Sequence, residues 1–542
     1  MARGYEPLIA ISSKSRWLAR SALIALAILC LTPLVALGVI ASSSWQFNDA
    51  VVHLSDPVVL RALRFTLLQA GLSTLISIGL AIPVVMSLRQ TRSGALAQTA
   101  RLLFALPLVL PQLVAALAIV AVFGQNGWIA QFLDALKISW PSIYGLGGVL
   151  LAHVFFNMPL AVRIFDQALQ SLPPEYEQNA AQLGLQGVRR FAMIEGVVIR
   201  DTIGGIATII FLLCATSFTI VLVLGGGPRS TTLEVAIYQA LAFDFDLGRA
   251  LTLIVLQLVV TGSVVLLLTR RGRADLGGSG FSLSSRSTNN SAMAGPHPLR
   301  FESALILLLA ITFVALPFAA ILLDGLMGRF FQVWLRPSVL AAAGTSVAIG
   351  FFSASLATIG AMATAIAGPS RLTSVAPLAV LIFPPIVLSA GWFLTIRQFA
   401  DPFAYAAILV VAINAAMALP FVMRIIDRAC ATHMMRHGAL EAQLGLTGWS
   451  RWRLSLLPAL RMPLLVGFAF AFALSLGDFG VVALFGSDML QTLPYLIYAS
   501  FGSYRSQDAV ALALLLGLLV LVAVSAAEIF ARRDPAHSGI GR

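Results

Sequence analysis

The sequence predicts an all-α, polytopic membrane protein with about twelve transmembrane helices in two parallel six-helix repeats, and three observations lead there. Of 542 residues, 59% are hydrophobic and 11% charged, with a mean hydropathy of +0.92. A soluble domain carries roughly 25% charged residues. The segment Ala181-Gln182-Leu183-Gly184-Leu185 returns 261 residues later as Ala442-Gln443-Leu444-Gly445-Leu446. At the same offset Pro159, Arg163, Gly187 and Phe218 recur as Pro420, Arg424, Gly448 and Phe479. The third observation is that Lys and Arg collect on alternate loops, as twelve crossings require.

A helix needs about 20 mostly apolar residues to cross a hydrocarbon core of about 30 Å. In the first half such windows run from 18 to 41, 62 to 88, 102 to 123, 145 to 166, 202 to 224 and 248 to 269. In the second they run from 303 to 324, 340 to 367, 373 to 396, 404 to 425, 462 to 486 and 509 to 531. The first window follows Lys14, Arg16 and Arg20 and is longer than the apolar region of a cleaved signal peptide, so it is read as a span. With both termini in the cytoplasm, the inner loops and tails collect 26 of the 35 basic residues. The net charge of +12 is then cytoplasmic-face charge held against anionic lipid, and nucleic acid is not needed to explain it. Pro107, Pro111, Pro384 and Pro385 are expected to kink the third span of each half, because proline removes a backbone donor.

Residues 1–270 form the first half and 301–542 the second, each expected to fold as its own six-helix unit. Between them, residues 271–300 are rich in Gly, Ser, Asn and Arg and read as a flexible cytoplasmic linker. Cys30, Cys214 and Cys430 lie far apart, with neither metal-ligand nor disulfide spacing. His433 and His437 stand at i, i+4 but have no third ligand, so no metal and no cofactor is expected. No paired catalytic residues are present, and an enzyme is the remotest reading.

The repeated segment follows the fourth span of each half on the cytoplasmic side, within loops of about 171–197 and 430–459, and is too polar to cross a bilayer. A short helix outside the membrane is expected in both. Here the chain resembles the inner-membrane permeases of type I ATP-binding cassette importers, whose cytoplasmic loop carries a Glu-Ala-Ala pattern, a Gly six residues after the Glu and a hydrophobic-Pro ending. Gly184 and Gly445 match the Gly, and Leu457-Pro458 the ending. Gln178 and Ala439 stand where the family has Glu, with Glu175, Glu177 and Glu441 nearby. The resemblance implies that Glu175, Ala181, Leu183, Gly184, Glu441, Ala442, Leu444 and Gly445 dock into clefts on two copies of a separate ATPase. The alternative is an ordinary amphipathic turn at the membrane surface.

Further motifs sharpen the resemblance. Leu151-Ala152-His153-Val154-Phe155-Phe156-Asn157-Met158-Pro159, Gly225-Gly226-Gly227-Pro228 with the stretch from Thr231 to Leu241, Leu474 to Gly486, and Gly502-Ser503-Tyr504-Arg505-Ser506-Gln507-Asp508 are similar to thiamine ATP-binding cassette permeases. That family implies import of thiamine and its phosphates, delivered by a periplasmic thiamine-binding protein, across a bacterial inner membrane. The same machine for ferric iron or a polyamine is the nearest alternative.

No Gly-x-x-x-x-Gly-Lys-Ser/Thr phosphate loop exists in the chain, and its two lysines, Lys14 and Lys137, do not follow a Gly. Energy must then come from the partner ATPase. An ion-driven secondary transporter would need coupling carboxylates within its spans, and Asp478 is the one that the predicted windows contain convincingly. Asp478 and Phe479, with their counterparts Ser217 and Phe218, are the expected pathway or gate residues. Capping of a broken helix by Asp478 is favoured there over contact with the solute. Asp244, Phe245, Asp246, Tyr504 and Asp508 lie on outer loops, where they either meet the binding protein or anchor at the interface.

Overall fold

The computed structural model describes residues 21, 24, 26–33, 54–91, 95–185, 187–270, 301–327, 330–367, 380, 382–486 and 490–532. Ten helices among them are long and apolar enough to cross a membrane. They answer to ten of the twelve expected spans. The window 18 to 41 lies largely outside the described residues, as does the start of the window 373 to 396, and the linker 271–300 lies wholly outside them.

The chain packs as two units, one of Phe47–Trp334 with Ile497–Leu514, the other of Met1–Gln46, Leu335–Leu496 and Leu515–Arg542. In the first unit, α1 (Pro57–Gln90) starts where Asp56 accepts from the Val58 amide at 2.8 Å and Pro57 occupies the first turn. Two shorter helices, α2 (Ala95–Leu103) and α3 (Gln112–Phe123), are separated by a 3-10 turn at Leu106–Leu108. The expected kink in the third span is therefore a full break: Pro107 lies in the turn and Pro111 precedes α3. After α4 (Trp128–Ala135), α5 (Leu146–Gln170) packs on α1, where Ser73 meets His153 and the small residues Ala70, Ser77 and Ala81 are buried. Polar bonds cross this interior, Ser73 Oγ to His153 Nδ1 at 3.1 Å and Asn157 Nδ2 to Cys214 Sγ at 3.2 Å.

Beyond the short helices α6 (Pro174–Gln182) and α7 (Gly187–Arg190) comes α8 (Gly196–Ala215), then the short α9 (Thr219–Leu224). The expected single span of 202 to 224 is thus two helices. The stretch expected on an outer loop folds as α10 (Leu233–Ala242), a mostly buried apolar helix. Its first amide donates to Thr66 Oγ1 at 2.9 Å. The unit closes with α11 (Leu247–Arg270), α12 (Phe301–Met327) and α13 (Phe330–Trp334). Phe313 and Phe318 of α12 meet Phe155 edge-on at 6.2 and 5.5 Å, and Ser303 Oγ donates to Gln90 Oε1 at 2.6 Å.

The second unit is built on α14 (Pro337–Ala367), α15 (Pro385–Arg397) and α16 (Ala406–Gln443). It continues through α17 (Gly448–Arg451), α18 (Leu457–Gly477) and α19 (Gly480–Phe485). The unit boundary falls within α20 (Leu493–Gly502) and α21 (Ser506–Arg532). A stripe of Ala354, Ala357, Ala361 and Ala365 packs with Leu419 and Val422, and Leu26 and Cys30 belong to the same buried cluster. Trp392 Nε1 also donates to the carbonyl of Leu29 at 3.0 Å. Each packed unit therefore contains the first span of the opposite sequence half: α12 lies in one, and residues 26–33 in the other.

Internal symmetry persists below the level of helices. Leu493 N donates to Ser346 Oγ at 2.8 Å, as Leu233 does to Thr66. Asn414 Nδ2 donates to Ser475 Oγ at 3.0 Å, at the positions held in the first half by His153 and Cys214.

Candidate functional site

Two helical loops and two broken helices hold the predicted site residues. In each loop the helix ends in a Schellman motif. Gly184 N donates to Ala181 O at 3.1 Å and Leu185 N to Ala180 O at 2.9 Å; Gly445 N donates to Ala442 O at 3.2 Å and Leu446 N to Glu441 O at 3.0 Å. Both glycines adopt φ +63°, a left-handed conformation that costs an L-residue about 1–2 kcal/mol. A Cβ on either would meet open space, so the requirement is conformational. Gly184→Ala and Gly445→Ala should each shorten the protection of the following loop in amide hydrogen exchange and cost about 1 kcal/mol, while Asn at either position costs less.

The motif turns the residue before each glycine outward. Leu183 is 75% exposed and Leu444 64%, and Ala181, Ala442 and Glu175 are also exposed. Val188, Met193 and Leu454 add exposed apolar side chains to the same loops. The Gly and Leu pair is followed in both halves by a one-turn helix and then a π-helical turn, Phe191–Glu195 in the first and Trp452–Leu456 in the second. Both π turns sit at the repeat offset.

The two loops differ in how they are anchored. Arg190 and Arg451 occupy equivalent positions, but Arg190 Nε donates to Glu195 Oε1 at 2.9 Å and Arg451 Nε to Glu441 Oε2 at 2.8 Å. Glu441, expected on the docking face, is 3% exposed. Its other oxygen meets His433 Nε2 at 2.9 Å and the Ser455 hydroxyl. The two histidines pack ring against ring at 5.1 Å, and among the described residues no group of three or more His, Cys, Asp or Glu is placed to hold a metal.

The helix leading into the loop also differs. Ser171–Pro173 separates α5 from α6, because Pro173 and Pro174 cannot continue a helix that is already formed. In the second half no proline intervenes, so α16 runs unbroken through 38 residues, or about 57 Å. The expected short separate helix is found in the first half alone; in the second it is the end of a long one.

The predicted gate residues sit at the two breaks. Ser217 and Phe218 lie between α8 and α9, and Asp478 and Phe479 between α18 and α19. Asp478 accepts from the Val481 amide through Oδ2 at 3.2 Å, capping α19. Both phenylalanines are buried, and Phe218 meets Tyr238 edge-on at 5.4 Å. Ser217, lacking a carboxylate, makes no such cap, and its hydroxyl has no partner. Asp478→Ala should lower the unfolding midpoint by the worth of one helix cap, about 1 kcal/mol, with Asp478→Asn tolerated.

Three buried carboxylates, Asp166, Glu195 and Glu234, escaped the sequence analysis. Glu234 on α10 is 1% exposed, yet it stands in a stretch between two windows that was read as outer loop. The alternation of apolar residues around it, Leu233, Val235, Ala236, Ile237, Ala240 and Leu241, was the available signal.

No protein-family model matches the chain. It is 44% identical over 482 residues to the thiamine transport system permease protein ThiP of Brucella abortus (strain 2308), covering 87% of this chain and 88% of that one. With the thiamine transport system permease protein ThiP of Escherichia coli (strain K12) it shares 36% identity over 509 residues, 91% of this chain and 94% of the other. The molybdenum transport system permease protein ModB of Mycobacterium bovis aligns at 29% over 238 residues, using 43% of this chain but 86% of its own length. Identity at the level of the first two, sustained across nearly the whole of each partner, means that this chain belongs to the family of thiamine transport system permease proteins.

Proposed function

We propose that the chain forms the transmembrane pathway of an ATP-binding cassette importer for thiamine and its phosphates in the bacterial inner membrane. The observation that carries the coupling mechanism is the pair of cytoplasmic loops with one geometry: a left-handed glycine and, before it, an exposed leucine on a rigid helical end. An apolar knob held this way fits a groove on a partner at little ordering cost. Two loops call for two copies of a separate ATPase, since the chain has no phosphate loop of its own. Leu183, Gly184, Leu444 and Gly445, with Ala181, Ala442 and Glu175, form the docking face. Glu441 serves it from behind by holding the loop through Arg451.

The cargo assignment rests on the relatives, whose names give thiamine. Both termini lie in the cytoplasm on the charge distribution, with a periplasmic thiamine-binding protein delivering from the opposite side. The breaks at Ser217-Phe218 and Asp478-Phe479 act as the gate, because a helix interrupted at an equivalent place in each half can rearrange without unfolding its outer segments. Ferric iron or a polyamine would be the cargo if the pathway were shared but the recognition were not. Uptake of labelled thiamine into proteoliposomes holding the chain and its ATPase is the deciding measurement. Uptake that needs both ATP and the binding protein is expected; ATP hydrolysis without thiamine uptake would remove the cargo, and ion-driven uptake without ATP would remove the mechanism.

The binding protein has a candidate foothold. Phe245 and Tyr504 are non-glycine residues at φ +53° and +59°, exposed by 69% and 98%. Each opens the last helix of its half. Strained aromatic side chains held out in solvent are what a docking surface uses. Around Phe245, Arg249 binds Asp56, Asp244 and Asp246 at 3.0–3.4 Å and fixes the loop. Replacing both aromatics with Ser should cut the stimulation of ATP hydrolysis by the binding protein at least tenfold, leaving unstimulated hydrolysis unchanged.

A further inference from the structure

Around the C-terminal end of α8, the first unit buries more polar oxygen than it satisfies. Gln69 Nε2 donates to the Cys214 carbonyl at 2.8 Å, and Gln257 Nε2 reaches both the Ala215 carbonyl and Glu234 Oε1 at 3.3 Å. These donations orient both amides, so their oxygens are the ends left over. Gln69 Oε1 and Gln257 Oε1 have no partner, nor have Glu234 Oε2, Ser217 Oγ and Thr232 Oγ1. All five residues are 2% exposed or less. Four elements contribute to this one neighbourhood: α1, the end of α8 with the break behind it, the start of α10, and α11.

We propose that these oxygens bind a small monovalent metal cation, sodium in the first instance. A carboxylate withdrawn from water must be paired, protonated or bound to a cation, and the side chain that bonds Glu234 among the described residues is an uncharged glutamine. A proton on Glu234 lets its Oε2 donate to one amide oxygen and leaves the other unsatisfied. A water supplies two donors for three acceptor-only atoms and no charge. A cation satisfies all of them together. It would also lie at the negative end of the α8 dipole, where half-helix C-termini favour positive charge. The donor set is entirely oxygen, which selects a hard ion, and its single carboxylate suits one positive charge better than calcium or magnesium, which gather several. The site is independent of the cargo assignment. Its role is to lock α10 and α11 against the break at Ser217.

The test uses the full chain in lipid nanodiscs. Radioactive sodium retained after gel filtration is counted, and the thermal unfolding midpoint is compared in sodium chloride and N-methyl-D-glucamine chloride at equal ionic strength. The expected result is a single retained sodium ion per chain and a higher midpoint in sodium. Both should vanish in Glu234→Gln and persist in Asp478→Asn, which removes a different carboxylate. No retained sodium and equal midpoints in the wild type would overturn the proposal in favour of a proton or a water. Retention undiminished in Glu234→Gln would overturn it too. If Glu234→Gln does not fold, Ser217→Ala takes its place, with severalfold weaker retention expected and unchanged retention counting against the site.

Discussion

Replacing Leu183 and Leu444 together with Asp should separate the permease from its ATPase. Each leucine contributes about 2 kcal/mol when a partner groove covers it, and an Asp in its place adds the cost of desolvating a charge. Each loop should then lose at least about 30-fold in affinity, and on the proposed two-loop docking the two losses multiply. The fold should be untouched, since both side chains already stand mostly in solvent. The measurement is co-purification of the ATPase with the variant, alongside its unfolding midpoint. A normal midpoint with the ATPase lost is the expected pair. Retention of the ATPase at the wild-type level would show that the docking surface lies elsewhere.

Glu441→Ala should have the second-largest effect, and by another route. The carboxylate joins Arg451, His433 and Ser455, so its removal leaves a largely buried guanidinium without its counter-charge. Losing one partner of such a pair costs about 3 kcal/mol. Hydrogen exchange across residues 430–459 should accelerate accordingly, while residues 171–197 keep their protection. Glu195→Ala in the first loop is the internal comparison. Arg190 is more exposed than Arg451, water can solvate it, and the loss there should be nearer 1 kcal/mol. Equal losses in the two loops would mean that burial does not distinguish the two clamps.

The left-handed glycines and the exposed leucines of the two loops were legible because their geometry is local: a helix end that needs a left-handed residue writes Gly at one position and fixes its neighbours. The clamps behind those loops were not legible. Arg190 and Arg451 obey the repeat, but their acids come from five residues ahead in one loop and ten residues behind in the other, and no spacing rule links them. The break at Asp478 was legible from the carboxylate between Gly477 and Gly480, but the one at Ser217 was hidden in an apolar run, since hydropathy measures what a segment is made of and not whether its hydrogen bonds continue. The long α16 was cut short for the opposite reason. Its polar end beyond residue 425 looked like loop, although nothing in Arg428 to Gln443 forbids a helix. Glu234 was missed because a buried helix too short to cross a membrane resembles an outer loop when the search is for full-length spans.

The exchanged first spans impose an order on synthesis. Residues 26–33 leave the ribosome among the first, yet the alanine stripe that receives them begins at Ala354, more than 300 residues later. At 5–20 residues per second the interval is on the order of half a minute. During it the opening helix has only lipid and transient neighbours for company. The first unit meets the mirror-image delay, because its packing stays open until α12 has been made beyond the linker. Neither half can close before the other has started, so a ribosome that stalls between residues 271 and 300 releases a product with one helix unclaimed and one berth vacant. Duplication followed by exchange has thereby made the fused chain a single assembly unit, in which incomplete copies are recognisable to the cell by what they leave exposed.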